Sequence, residues 1–150
     1  LYVMGAEGAW VCGPFSAQAE YVAALTNGSD GYQDQFFHGL YIQTSYFLTG
    51  EHRPYKTTSG VFGGVKPKQN FISGGGLGAW EIAGRYSYLD LTGSQLSSGA
   101  RKLQDLTLGV NWYLNPNLRI SFNYIHAWLN APDNWTEGID MFMIRFQAAI

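Results

Sequence analysis

Four cations and one carboxylate lie in a single stretch between Thr49 and Gly75: Arg53, Lys56, Lys66 and Lys68 against Glu51. The stretch carries a net +3, which leaves −5 for the rest of a chain that totals −2. Guanidinium and ammonium groups at that density attract anions, most strongly where low-dielectric walls focus their field. Three further arginines, Arg85, Arg119 and Arg145, are candidates for the same task because each falls on the polar side of an alternating segment. Catalytic chemistry finds no comparable grouping. His38, His52 and His126 form no pair at i, i+2 or i, i+4, so no metal site is expected. Ser45 and Ser87 have no neighbouring His and Asp to make a nucleophilic triad. Glu81 and Arg85 are spaced for an ion pair along a wall rather than for acid–base work. Gly74-Gly75-Gly76 lacks the Lys-Ser/Thr of a phosphate-binding P-loop. The single cysteine, Cys12, excludes an internal disulfide and a CxxC site. The expectation is therefore a protein that is not an enzyme and needs neither metal nor cofactor. A sequence pI of about 5.8 also argues against nucleic acid as a partner, which would require a basic face.

The elements that position these charges are strands. In the final segment Phe142, Ile144, Phe146, Ala148 and Ile150 share one parity, and Met143, Arg145 and Gln147 share the other. A period of two with one apolar and one polar side is the signature of a β-strand. The same pattern places seven strands at about 1–12, 15–26, 36–48, 77–90, 103–114, 118–130 and 139–150. Most run past ten residues, the span that a tilted strand needs to cross a bilayer. Charges within them keep to the polar parity: Glu7, Glu20, Glu81, Arg85, Asp105, Arg119 and Arg145. Only Asp90 and Asp140 take the apolar parity, and both are placed at strand ends. A charge facing lipid at mid-depth costs on the order of 2–4 kcal/mol, so this sorting is what a membrane barrel requires.

Composition agrees with a transmembrane β-barrel. The chain has 24 aromatic residues (Trp 5, Tyr 10, Phe 9) and 19 glycines, with 13% charged residues against a typical ~25% for soluble domains. Mean hydropathy is −0.12, and no run approaches the ~18 apolar residues of a membrane helix. Aromatics of the apolar parity sort into two expected girdles. Trp10, Phe15, Tyr46, Trp80, Trp112 and Phe146 lie toward the short turns Gly13-Pro14 and Asn115-Pro116-Asn117; Tyr2, Phe36, Tyr88, Trp128 and Phe142 lie toward the longer connections. The 49–75 stretch is the exception, a long connection on the short-turn side, and connections of that length are usually functional or disordered. The chain opens at Leu1 inside a strand, as a mature segment or a fragment does.

Several multi-residue blocks resemble the phosphate-selective porin O and P family. They are Gly13-Pro-Phe-Ser16 with Gln18 and Glu20, Tyr46-Phe-Leu-Thr-Gly-Glu51 with Arg53-Pro-Tyr55, Gly78 to Leu91 (GAWEIAGRYSYLDL), and Leu108 to Asn117 (LGVNWYLNPN) with Arg119. The resemblance implies a homotrimeric channel of the bacterial outer membrane with roughly sixteen antiparallel strands, of which these seven would be the last. It implies passive uptake of anions such as phosphate or polyphosphate, outer-membrane lipid around the barrel, and an inward-folded periplasmic segment whose counterpart here is the 49–75 connection. Residues 1–150 would then be the C-terminal part of one barrel domain, the rest supplied by an N-terminal part. The alternatives are a non-selective or structural outer-membrane barrel and a soluble ligand-binding β-barrel. Three structural expectations follow. Arg85, Arg119 and Arg145 should point into the lumen and Trp80, Trp112 and Phe146 to lipid; the seven strands should not close on themselves; and the connection bearing Arg53, Lys56, Lys66 and Lys68 should fold into the pore and attract anions.

Overall fold

The computed structural model describes residues 1–28, 34–56, 58, 60–71, 75–92, 102–130 and 136–149, with the side chains of Lys56, Thr136 and Glu137 outside that set. Most of the three longer polar connections, at 29–33, 93–101 and 131–135, also lies outside the described residues, as do Gly74 and Ile150. Nine strands follow in order: β1 (Tyr2–Cys12), β2 (Phe15–Thr26), β3 (Gln35–Phe47), β4 (Tyr55–Lys56), β5 (Val61–Phe62), β6 (Ala79–Asp90), β7 (Lys102–Asn115), β8 (Leu118–Asn130) and β9 (Thr136–Ala148). Seven form one antiparallel sheet in the order β1-β2-β3-β6-β7-β8-β9, and β4 and β5 pair separately. These seven are the expected ones, with ends moved by a few residues. The fold is all-β, one continuous meander as in part of a porin barrel wall.

The sheet is open. β1 pairs only with β2 and β9 only with β8 among the described residues, so the seven strands do not form a closed cylinder. Residues directly opposite one another in an antiparallel ladder share a face, and the registers therefore fix the two faces. Trp80, Trp112, Ile120 and Phe146 make one row across four strands. The next row, Glu81, Asn111, Ser121 and Arg145, points the opposite way. Arg85 and Arg119 lie on the same side as Glu81, because they are four residues along β6 and two residues along β8 from members of that row. The three arginines and the three aromatics thus take opposite faces of the sheet.

The apolar face stays uncovered, with Trp10, Phe142 and Phe146 at 60%, 82% and 76% exposure. Those three stand on the edge strands, but Ile42, Ile82, Leu108 and Phe122 on the inner strands are exposed as well, and an apolar patch of that extent marks a surface built to meet lipid or another protein. Trp80 and Trp112 stack with centroids 5.1 Å apart, and both indole N–H groups donate to the Leu77 carbonyl, at 3.2 and 2.9 Å. The girdle expectation needs one correction. Because β9 runs from Thr136 rather than from 139, Phe142 stands at its middle and not toward the long-connection end. The same shift moves Asp140 inward from the strand end, where His126 Nδ1 at 2.5 Å and the Tyr124 hydroxyl at 2.7 Å bond to its carboxylate. Asp90, the last residue of β6, pairs with Lys102 at 3.2 Å.

The connection between β3 and β6 rejoins the wall at Gly78. This residue has φ of 70°, and a Cβ there would come within 2.4 Å of the Tyr113 carbonyl oxygen. Only glycine combines that backbone with that approach. Replacing Gly78 with Ala in the full-length protein is expected to cost about 2–4 kcal/mol. Urea unfolding in lipid vesicles, followed by Trp fluorescence, measures it; a loss below about 0.5 kcal/mol, the range of an ordinary surface change, would contradict the close approach.

Candidate functional site

The connection does not hang from the sheet edge. It folds over the polar face and is tied there at its base and at its tip. At the base, Leu48 N–H donates to the Trp80 carbonyl at 2.8 Å, Trp80 N–H to Thr49 Oγ1 at 3.0 Å and Phe71 N–H to the Leu114 carbonyl at 2.8 Å. Glu51 is 3% exposed and joins the two arms of the connection: its carboxylate accepts from the Thr49 hydroxyl and from the Lys68 backbone N–H at 3.1 Å. Nearer the tip, β4 and β5 make a small hairpin in which Tyr55 and Phe62 meet edge to face at 5.4 Å. Two-residue strands have no period to read, and this hairpin was not expected from sequence.

At the centre of the arrangement is Glu81, whose exposure is 0%. Arg53 donates to its Oε1 from Nε at 2.8 Å and from Nη2 at 2.6 Å. Its Oε2 accepts from Asn111 Nδ2 at 3.0 Å and from the Tyr113 hydroxyl at 2.9 Å. A carboxylate taken out of water needs such a full set of donors, and losing the partner of a buried pair typically costs about 3–5 kcal/mol. Beside it Phe47, Val65, Ala79 and Tyr113 form the small buried core, in which Val65 comes from the connection and the others from the wall. The connection thus contributes one apolar and one charged anchor to the same patch.

The expected pair between Glu81 and Arg85 is not made. Side chains four residues apart on a strand are separated by about 13 Å, beyond ion-pair reach. Glu81 is taken by Arg53, while Arg85 donates to Ser87 Oγ at 3.1 Å and lies over the Tyr41 ring at 4.2 Å. Arg119 donates to the Tyr113 hydroxyl at 3.3 Å and to Gln147 Oε1 at 2.6 Å. Arg145 is exposed on the edge strand, in the register of Glu81. Lys66 and Lys68 are exposed and, with His52, Glu51, Pro54 and Gly64, line a cleft of about 380 Å³. None of Lys66, Lys68, Arg85, Arg119 and Arg145 belongs to the three ion pairs among the described residues. Arg53 does, so its charge is largely cancelled.

Sequence reasoning missed Glu81 as the hub. Its partner stands 28 residues away, and only the fold of the connection joins them. The one signal available was a carboxylate on the polar parity near the start of a strand. The polar face also carries the opposed pair Glu7 and Glu20, with Tyr41, Ser87 and Asp105 in the same row, so this row is acidic and Arg85 stands two residues along β6 from it. A cavity of about 580 Å³ opens on the other face among Phe15, Tyr46, Ile82, Leu108 and Phe122, and its lining carries no charged group among the described residues.

Comparison with known proteins accords with this arrangement. The sequence pattern of the family described as phosphate-selective porin O and P matches residues 2–148. Porin O of Pseudomonas aeruginosa is 38% identical over 155 residues, an alignment that covers 97% of this chain and 34% of that protein. An uncharacterised protein of Caulobacter vibrioides is 35% identical over 121 residues, covering 80% of this chain and 23% of its own length. The chain spans about a third or less of these relatives. With the family pattern running from the first strand to the last, and a seven-stranded wall that carries most of its charges on one face, the chain belongs to the phosphate-selective porin O and P family.

Proposed function

We propose that this chain is the C-terminal part of an outer-membrane porin in which the polar face lines a water-filled channel for passive uptake of anions of the phosphate class, polyphosphate included. The observation that carries this reading is the asymmetry of the sheet. One face is uncharged over most of its area and holds exposed Trp and Phe side chains; the other holds Arg85, Arg119, Arg145 and the folded connection with Lys66 and Lys68. A membrane barrel needs lipid outside and water inside, and this arrangement meets both needs. The protein acts as a channel rather than as an enzyme. Its open edges, β1 and β9, pair with the remaining strands of the barrel, and three copies assemble in the outer membrane.

Within that channel the anion-attracting charges are Lys66, Lys68, Arg85, Arg119 and Arg145. Among the described residues none of them belongs to an ion pair, so their field reaches the permeating ion. Lys66 and Lys68 matter most among the residues of the connection, because Arg53 is paired with Glu81 while both lysines are exposed and line a cleft. Lys56 belongs to the same basic set by sequence.

The test is the reversal potential of full-length protein in planar bilayers under a salt gradient. Replacing Lys66 and Lys68 together with Gln should lower anion-over-cation permeability about two- to fivefold near 0.01 M salt and change it little near 1 M, where screening acts within about 3 Å. Unchanged selectivity at low salt would make the connection a tether with no part in attracting anions. Arg85→Gln should act in the same direction, since it leaves Glu7 and Glu20 on the polar face without their nearby cation. An increase in anion preference would place Arg85 outside the ion path.

A further inference from the structure

We infer that Glu81 is a positioning residue: it latches the tip of the inward connection against the wall and removes the charge of Arg53 from the ion path. The inference rests on the channel reading above and adds the device that holds the connection in place. Its base is tied by backbone bonds at Leu48, Trp80 and Phe71, but the described part of the tip, residues 53–56, 58 and 60–65, is held differently. Among the described residues its polar bond to the wall is the two-pronged contact from Arg53 to Glu81, and its apolar bond is Val65 against Phe47, Ala79 and Tyr113. The bonds between Pro54 and Gly63 and between β4 and β5 lie within the tip and do not fix it to anything else. The two anchors act on neighbouring residues of the wall, and the Glu81 carboxylate supplies the polar one.

Glu81 is held ready for this task by the wall itself. Asn111 and Tyr113, neighbours on β7, bind its Oε2 and leave Oε1 to accept both Arg53 bonds. The Arg53 guanidinium also lies 5.5 Å over the Phe62 ring of the hairpin, so the ion pair reaches from the wall into β5. Neutralising either partner therefore has two separable effects. It frees the tip to move, and it changes the fixed charge of the lumen by one unit, with opposite sign for the two partners.

Single-channel recording of the full-length protein at low salt, with reversal potentials on the same variants, tests this. E81Q should convert steady currents into flickering ones with substates and raise anion-over-cation permeability roughly twofold, because Arg53 is no longer compensated. R53Q should flicker as well but shift selectivity toward cations. R53Q/E81Q should flicker while selectivity returns to that of the unmodified channel, and R53K should stay close to quiet. A general loss of stability would give none of these opposed shifts. Should E81Q fail to insert, the double variant still carries the flicker readout and R53Q the selectivity readout. Quiet currents in the variants that remove the pair, or shifts of the same sign for E81Q and R53Q, would overturn the latch. If the unmodified protein formed no anion-passing channel, the failure would belong to the porin reading instead.

Discussion

The constraint on which the rest of the structure depends is the satisfaction of backbone hydrogen bonds where one side of the chain has no water. In hydrocarbon each unpaired N–H or C=O costs several kcal/mol, and strands survive there only when laddered to neighbours. The seven long strands obey this through unbroken antiparallel registers, with one irregularity between Tyr113 and Asn115 at the turn into β8. Once the ladder is fixed, the alternation of side chains follows. A single-residue slip would carry Glu81, Arg85 and Arg119 to the face of Trp80 and Trp112, so the dry face itself enforces the register. The short turns serve the same end: Asn115 Oδ1 accepts from the backbone N–H groups of Asn117 and Leu118, at 2.8 and 2.9 Å, and closes the β7–β8 hairpin tightly.

The wet face permits what the dry face forbids, namely a buried charge with a polar network around it. Glu81 is a costly residue in isolation, and it is retained where three side chains from two parts of the chain can surround it. Tyr113 links that network to Arg119 by accepting from its guanidinium while donating to Glu81. A second carboxylate, Glu51, does for the connection what Glu81 does for its contact with the wall. Acids thus build the scaffold at this end of the sheet, and the cations left over face solvent. Two of the chain's carboxylates, Glu51 and Glu81, are buried in this scaffold.

The sheet was legible in the sequence because its organising pattern is local. Residues two apart share a face whatever the rest of the chain does, and Ile120, Phe122 and Tyr124 against Arg119, Ser121 and Asn123 already give β8 its two sides. What was not legible depends on distance. The pairing of Arg53 with Glu81, the seating of Val65 and the bond from Asp140 to His126 each join residues that no periodicity relates. Glu81 and Arg85 misled for the converse reason, since a spacing that suits a helix is too long on an extended strand. The start of β9 was placed three residues late because Thr136 and Glu137 are polar and the strand was read from its apolar residues.

A membrane barrel requires the polar face to be the wet interior and the apolar face to meet lipid. Nitroxide scanning along β8, from Arg119 to Trp128 in the full-length protein reconstituted in vesicles, measures this position by position. Labels at 119, 121 and 123 should be relaxed by a water-soluble nickel chelate, and labels at 120, 122 and 124 by dissolved oxygen, with a period of two residues. Inversion of that pattern, with the odd positions oxygen-accessible and the even ones shielded from both reagents, would mean an apolar interior and would contradict the membrane barrel.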